Sequence, residues 1–329
     1  MTFIPLASPI QDIEQKDILL LNDHPSRRAL EIHSKMDTTE GGVLQEALHM
    51  AGLTRAEVGM VNIFPTRTDL KGLWHDSDQV ARRDFLPEGR QYVGAIHQIL
   101  AQHDYKVIIP LGDVAAKALL DRADITKIRG YPFQFGERVV IPTLHPREMV
   151  WSNYIWRFYL AHDLSKAKRF ASGEATIKEP TLVICDSLSL VEQLCRLLEA
   201  KRKLTAIDIE VSNYEVSCIG FSFEEHSGWS IPFDQRWSET DETIVWHKVA
   251  SVLEDPDITK LLQNGIFDAY FLWYKMHILV RGIAHDTMIA HSIVHPDFLK
   301  SLGFLAGVHT DLTYWKDQSD FREAFKDEA

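Results

Sequence analysis

Two short patterns constrain this sequence more than any other feature. They are Asp208-x-Glu210 inside an apolar stretch, and Asn264-x-x-x-Asp268 after a second apolar stretch. Because alternate side chains of a β-strand point to the same face, a strand over 204–210 places both carboxylates on one side of a sheet. A helix that begins near residue 265 adds Asp268 as a third carboxylate. Such a group can hold two divalent cations, which activate a water and stabilise the leaving oxygen in phosphodiester hydrolysis.

The two patterns, in this order, resemble the proofreading 3'-5' exonuclease domain of family A DNA polymerases. Three further segments carry the resemblance: 285–288 (His-Asp-Thr-Met), 300–302 (Lys-Ser-Leu) and 314–317 (Tyr-Trp-Lys-Asp). The last two are similar to phage-type members of that family. The resemblance implies an RNase H-like α/β fold for residues 181–329. It also implies release of nucleoside 5'-monophosphates from a single-stranded 3' end of DNA.

The same resemblance implies roles for individual residues. Asp208, Glu210 and Asp268 are expected to ligate Mg²⁺ or Mn²⁺, because these hard cations prefer carboxylate oxygens. Glu210 is also expected to help hold the nucleophilic water, and Asn264 to fix its loop and contact the DNA end. A polymerase domain is the expected partner, either fused downstream or on a separate chain.

One motif of that family is missing from the sequence. The family carries a further acid in a Tyr-x-x-x-Asp or His-x-x-x-x-Asp motif, and residues 286–329 contain neither. We therefore expect the chain to stop inside the exonuclease domain, as a natural split or a truncated form. We also expect weak or absent exonuclease activity from this chain alone. Asp317, Asp320 and Asp327 are candidate substitutes for the missing acid, although we favour the interpretation that they are exposed acids of a tail.

The first half of the sequence alternates apolar strand patterns with helix patterns, which predicts an α/β domain with a mostly parallel sheet. The predicted strands are 17–21, 58–64, 106–111 and 139–144, and the predicted helices are 42–50, 92–102, 114–120 and 147–170. We place this domain at 1–172 and a polar linker at 173–180. With the exonuclease-like region at 181–329, the chain is expected to contain two α/β domains.

The first half also resembles a known family, the uracil-DNA glycosylase superfamily, nearest to its iron–sulfur-containing bacterial branch. The matching segments are 61–65, 107–112, 125–130 and 141–146. The resemblance implies a three-layer α/β fold and a His-Pro loop that binds the flipped base and the adjacent backbone. Asn62, His145 and Arg147 are therefore candidate DNA contacts, although His145 can equally be a histidine at a strand end whose hydrogen bonds are satisfied within the protein.

The glycosylase chemistry of that superfamily is eroded in this sequence. Its Gly-Glu-Ala-Pro-Gly loop is replaced by Asn-Asp-His-Pro-Ser at 22–26, and the segment 31–40, directly before Gly41, contains no aromatic residue that could stack on uracil. The first cysteine is Cys185, so the four ligands of an iron–sulfur cluster are absent and no cluster is expected. We expect a degenerate, DNA-binding domain, with basic side chains at Arg129, Arg138 and Arg157 near the His-Pro loop.

Charge and composition limit the remaining interpretations. Residues 180–329 carry 13 basic and 24 acidic side chains, a net charge of −11, which argues against broad duplex binding by that half. Three cysteines and no long apolar run predict a reducing compartment and no membrane, and we expect the host cytoplasm of a phage. The alternative functions are a non-catalytic DNA-binding module or an active uracil-DNA glycosylase.

Overall fold

The computed structural model describes residues 16–31, 37–65, 70–151 and 153–316. The chain divides into two compact units: the first contains residues up to Ile177 together with those from Gly303 onward, and the second contains Lys178–Leu302. Each unit has one large sheet flanked by helices, which confirms the predicted α/β class. Three residues proposed as substitute acids, Asp317, Asp320 and Asp327, lie outside the described residues.

The described strands and helices follow one another along both units. The strands are β1 (Ile18–Asn22), β2 (Val58–Asn62), β3 (Trp74–His75), β4 (Asp84–Phe85), β5 (Val107–Pro110), β6 (Phe133–Phe135), β7 (Arg138–Val140), β8 (Thr181–Ile184), β9 (Thr205–Ser212), β10 (Glu215–Ser222), β11 (Ser227–Pro232), β12 (Lys260–Leu262) and β13 (Ile283–Asp286). The helices are α1 (Arg27–Glu31), α2 (Thr39–Met50), α3 (Pro87–Gln102), α4 (Gly112–Leu120), α5 (Ile125–Ile128), α6 (Pro146–Trp151), α7 (Trp156–Ala171), α8 (Leu188–Lys201), α9 (Glu239–Glu254), α10 (Ile266–Met276), α11 (Thr287–Val294) and α12 (Leu302–His309). None of these helices is long and apolar enough to cross a membrane.

The sheet of the first unit has the strand order β2-β1-β5-β7-β6, and only the β6–β7 pair is antiparallel. The interior strand β1 (Ile-Leu-Leu-Leu-Asn) is buried along its whole length. A strand of a parallel sheet covered by helices on both faces needs such a continuous apolar run. The carboxyl ends of β1 and β2 meet, because Asn22 pairs with Asn62.

The segment after the His-Pro loop differs from the sequence prediction. A single helix over 147–170 was predicted, whereas the structure has two helices, α6 and α7. Between them, Trp156 N–H donates to Asn153 O and Arg157 N–H donates to Tyr154 O, which are short turn bonds. Asn favours turns over helix interiors, because its side chain competes for backbone hydrogen bonds. The sequence prediction missed this break because the apolar spacing of the two helices continues across it.

The second unit has the strand order β13-β12-β9-β10-β11-β8, with β9–β10 and β10–β11 antiparallel. Helices α8 and α9 cover one face of this sheet, where they bury Ile207, Ile209 and Ile219. The opposite face carries small side chains on the middle strands and exposed leucine and isoleucine on β8. The two acidic side chains of β9 are on this opposite face, because they alternate with the buried isoleucines.

Candidate active site

Strand β9 presents Asp208 and Glu210 on the exposed face of the sheet. Asp208 pairs with Gly220 and Glu210 pairs with Cys218 on the antiparallel strand β10. Along β9 the burial alternates, so that both acids are exposed while Ile207 and Ile209 are buried. The local sequence produces this arrangement directly, since apolar and acidic residues alternate with the period of the strand.

A third carboxylate, that of Asp268, reaches the edge of β9. Strand β12 pairs with β9 only at Thr205 and Ala206, so the edge of β9 beyond these residues is open. Helix α10 begins just after β12, and in its first turn Asp268 Oδ1 accepts a hydrogen bond from Ile209 N–H at 3.0 Å. The backbone amide of the residue between the two strand acids therefore holds the third acid.

The environment of Asp268 disfavours its negative charge. Asp268 is 4% exposed. Burial raises the pKa of Asp268 above its ordinary value, the amide of Ile209 opposes this effect, and the carboxylates of Asp286 and Glu210 add to it. Asp286 and Glu210 therefore add smaller effects to that of burial, and they contribute negative charge near Asp268. A cation placed among them would relieve their repulsion.

The loop between β12 and α10 is fixed by Asp286, the N-cap of α11. Its carboxylate accepts hydrogen bonds from four backbone amides, which are Asn264 (3.2 Å), Gly265 (2.8 Å), Met288 (2.9 Å) and Ile289 (3.2 Å). Burial acts to raise the pKa of Asp286, but these amides outweigh burial and lower it. Sequence analysis did not assign this role, although an acid directly before an apolar helix is a recognisable N-cap signal.

Asn264 and Gly265 make the tight turn that starts α10. Asn264 has φ +60°, a left-handed conformation that asparagine tolerates better than most residues. A Cβ atom at position 265 would lie 2.5 Å from Leu262 Cβ, so only glycine fits there without displacement. The side chain of Asn264 is exposed at the start of the helix that carries Asp268.

A groove with a volume of about 640 Å³ lies on the open face of the sheet beside Asp208. Its lining is mostly apolar or small, and among its described residues Asp208 is the only charged one. The lining includes Leu182, Ile184, Ala206, Gly220, Gly228 and Leu302. Within the described part of the chain, no three acidic, histidine or cysteine side chains converge on a point that could hold one ion.

In the first unit, His145 lies at the carboxyl ends of the strands and is 6% exposed. Its Nε2 donates to Asn22 Oδ1 at 2.8 Å, and its Nδ1 accepts from Arg147 N–H at 3.0 Å. Asn22 in turn donates from Nδ2 to Asn62 Oδ1 at 2.8 Å. Both ring nitrogens of His145 are therefore engaged by the protein, and Asn62 is buried beneath them.

Asp23 is the buried anion of this cluster. Its carboxylate lies 3.3 Å from His145 Nε2 and 3.3 Å from the Arg147 guanidinium, which also approaches Glu40 at 3.4 Å. Burial acts to raise the pKa of Asp23, but His145, Arg147 and His24 outweigh burial and hold this pKa far below its ordinary value. Sequence analysis missed Asn22 and Asp23 as partners of His145, because nothing in the local pattern links residues so far apart in sequence.

The other basic residues predicted to lie near DNA have internal partners. Arg129 donates to the buried Asp163, Arg138 donates to the carbonyl oxygens of Leu100 and His103, and Arg157 pairs with Glu46.

A second cavity, of about 350 Å³, lies beside His145. It is lined by residues that include Asp23, Trp74, Gly112, His145 and Arg147.

Two known families match the chain in consecutive regions. The uracil DNA glycosylase superfamily matches residues 11–160, and the 3'-5' exonuclease family matches residues 182–323. A DNA polymerase of Bacillus phage SP01 is 23% identical over 275 residues, which cover 72% of this chain and 29% of the polymerase. The chain thus spans less than a third of the length of that relative.

Solved structures show weaker similarity. Escherichia coli RNase D, described as an exoribonuclease involved in structured RNA processing, is 19% identical, with a TM-score of 0.34 over 43% of this chain and 36% of that chain. The EXD2 exonuclease domain soaked in Mg and GMP is 14% identical, with a TM-score of 0.28 over 39% of this chain and 69% of that chain. The chain thus contains a uracil DNA glycosylase-like region at 11–160, followed by a region at 182–323 that matches the 3'-5' exonuclease family.

Proposed function

We propose that the exonuclease domain hydrolyses the 3'-terminal phosphodiester bonds of DNA as the proofreading part of a DNA polymerase. The observation that carries this proposal is the bond from Ile209 N–H to Asp268 Oδ1. It fixes a carboxylate from a helix at the strand position between Asp208 and Glu210. The match to a phage DNA polymerase supports the polymerase context, in which the polymerase domain follows or is a separate chain.

Asp208, Glu210 and Asp268 are the proposed ligands of Mg²⁺ or Mn²⁺. All three offer the oxygen donors that such hard cations select. Asp268 is anchored by the Ile209 amide, and Asp208 and Glu210 lie on the exposed face of the same strand as Ile209. A bound cation would supply charge stabilisation at the scissile phosphate and lower the pKa of its water. The chain's own contribution is to hold the three carboxylates in order along one edge of the sheet.

The proposed DNA contacts differ in their accessibility. Asn264 is exposed at the start of α10, so it can contact a DNA end without rearrangement. Arg147 has a side chain that is 30% exposed, and its charge is already shared with Asp23 and Glu40. His145 and Asn62 are buried, so contact with DNA requires the first unit to open locally. We retain all four as proposed contacts, with Asn264 the most accessible.

The proposal is tested by measuring Mn²⁺ binding and DNA cleavage on matched variants. We expect Asp208→Ala and Asp268→Asn each to weaken Mn²⁺ binding at least about tenfold in calorimetry, because each removes a charged ligand. The control is Glu225→Ala, which removes an exposed acid from the turn between β10 and β11. This control should bind Mn²⁺ as the parent does.

Cleavage is followed on a labelled single strand with Mn²⁺ present. Any release of nucleotides from its 3' end should disappear in Asp208→Ala and persist in Glu225→Ala. The loss of one catalytic group commonly costs several orders of magnitude in rate. Equal Mn²⁺ affinity in the parent and both site variants, together with DNA binding that no site variant affects, would instead identify a non-catalytic DNA-binding module.

A further inference from the structure

The last described segment of the exonuclease match, Gly303–Lys316, packs in the first unit, which is the unit of the glycosylase superfamily domain. We call this segment the strap. Its residues Phe304, Leu305 and Ala306 are buried, although the helix that contains them is short. The strap follows directly after Leu302, which lines the groove beside Asp208. Part of the sequence that matches the exonuclease family is therefore packed within the first unit.

Lys166 of α7 makes the central hydrogen bonds to the strap, and this residue is 3% exposed. Its Nζ donates to three carbonyl oxygens: Gly130 O at 2.7 Å in the first unit's own loop, and Gly307 O at 2.5 Å and Thr310 O at 2.6 Å in the strap. An ammonium group has three donors and here finds three acceptors. Burial lowers the pKa of Lys166 to about 8, so the ammonium form predominates at neutral pH.

The fit around Lys166 is close. Gly130 has φ +76°, and a Cβ at this position would lie 2.6 Å from Gly307 O. A Cβ at Gly307 would in turn lie 2.9 Å from Arg129 O. The backbones of the strap and of the first unit therefore touch at two glycines, where no other residue would fit without displacement. Such close contact is typical of a well-packed protein interior rather than of a loosely attached segment.

Further contacts secure both ends of the strap. Tyr131 is fully buried and donates from its hydroxyl to Gly303 O at 2.5 Å. At the other end, Arg169 pairs with Asp311 at 2.7 Å, and the Tyr131 ring lies edge-on to Tyr314 with centroids 5.2 Å apart. Phe304 packs edge-on against Tyr159 at 4.8 Å. Polar and aromatic contacts thus extend along the whole strap.

We propose that the glycosylase-like unit serves as a scaffold that holds the strap, and that Lys166 and Tyr131 are positioning residues for the exonuclease groove. The basic side chains that would suit DNA are instead paired inside this unit, as Arg129 with Asp163 and Arg169 with Asp311 show. Fixing the strap fixes its neighbour Leu302, and Leu302 forms part of the wall beside Asp208. The docking of the strap is independent of catalysis. Only the expected effect of docking on nuclease activity rests on the proposed function.

Hydrogen exchange of the full chain at pH 7, read by mass spectrometry, tests the proposal. Lys166→Met removes the three donors but keeps an unbranched chain, and Lys168→Met is the matched control. Lys168 lies on the same helix, and its Nζ donates to Gly52 O rather than to the strap. We expect amides of 303–316 and of 295–302 to exchange at least about tenfold faster in Lys166→Met, and no change in Lys168→Met.

Tyr131→Phe gives a second, gentler test, because it deletes only the hydroxyl that holds Gly303 O. It should accelerate exchange of the same two segments by a smaller factor, with β1 and β5 still protected. Unchanged exchange of the strap in both variants would overturn the scaffold, and so would a loosened strap beside an unchanged 295–302 segment. Since exchange needs no catalysis, an inactive parent chain would count against the proposed function and leave this test intact. If the parent cleaves DNA, the same variants should lower kcat/KM and Lys168→Met should not.

Discussion

At the scale of single residues, buried charge decides the local structure of both candidate sites. Asp268 is held by the amide of Ile209, and Asp23 by His145 and Arg147. A buried carboxylate is tolerable only when donors or cations compensate for its lost hydration. The surroundings of the two acids shift their pKa values in opposite directions: the pKa of Asp268 is raised and that of Asp23 is lowered. Asp268 is held by a backbone amide rather than by a basic side chain, so that a bound cation would compensate its charge further.

The lowered pKa of Asp23 predicts how the first unit responds to acid. A carboxyl whose pKa is lower in the folded state stabilises the fold above its unfolded pKa, here the ordinary value of 3.8. That stabilisation is lost as the pH falls below 3.8. We expect Asp23→Asn to reduce the free energy of unfolding at pH 7 by about 3 kcal/mol, because it breaks a buried pair.

The difference between the parent and Asp23→Asn should shrink as the pH is lowered, since below 3.8 the carboxyl of the unfolded parent takes up a proton while the folded state still holds it ionised. Urea unfolding at several pH values measures it. Asp78→Asn is the control, because it changes an exposed acid of the same unit. A difference between the parent and Asp23→Asn that is constant down to acid pH would contradict the assigned pairing.

At the scale of elements, the start of α10 depends on a neighbouring helix. Asp286 caps α11 and also binds the amides of Asn264 and Gly265, so two elements share one carboxylate. We expect Asp286→Ala to destabilise the second unit by about 2 kcal/mol, at the upper end of N-cap losses, since four amides lose their acceptor. Thermal unfolding checks this, with the exposed Asp297→Ala as control. Equal stability of the two variants would show that the loop does not depend on Asp286.

The sequence predicts elements well and their long-range contacts poorly. Alternation of acid and isoleucine along β9 predicted that Asp208 and Glu210 share a face, because burial follows the strand period. The bond from Ile209 to Asp268 and the Lys166 contact with Gly307 join residues far apart in sequence. Such contacts depend on how whole elements pack, and no local pattern encodes them. The break between α6 and α7 was missed because apolar spacing continues across it.

At the scale of the whole molecule, a region that matches the uracil DNA glycosylase superfamily precedes one that matches the 3'-5' exonuclease family. We predict no uracil excision, because both nitrogens of His145 are bound internally and the loop at 22–26 does not carry the Gly-Glu-Ala-Pro-Gly sequence of the superfamily. Flipping a base costs a few kcal/mol, which a pocket must recover through stacking and hydrogen bonds.

The assay is a uracil-containing oligonucleotide that is treated with alkali after incubation with the protein. Strand cleavage at the uracil should stay at background. Cleavage that disappears in His145→Ala but persists in His49→Ala, an exposed histidine of α2, would show that the domain is an active glycosylase.

The central claim is that Asp208, Glu210 and Asp268 form a cation site, and a crystal structure of the protein soaked in Mn²⁺ tests it most directly. Anomalous scattering locates Mn²⁺ independently of any activity. The account predicts a peak within about 2.3 Å of a carboxylate oxygen of Asp208, with Asp268 as a second ligand. A fully soaked crystal without a peak at Asp208, with Asp268 still bound only to the Ile209 amide, would contradict the claim.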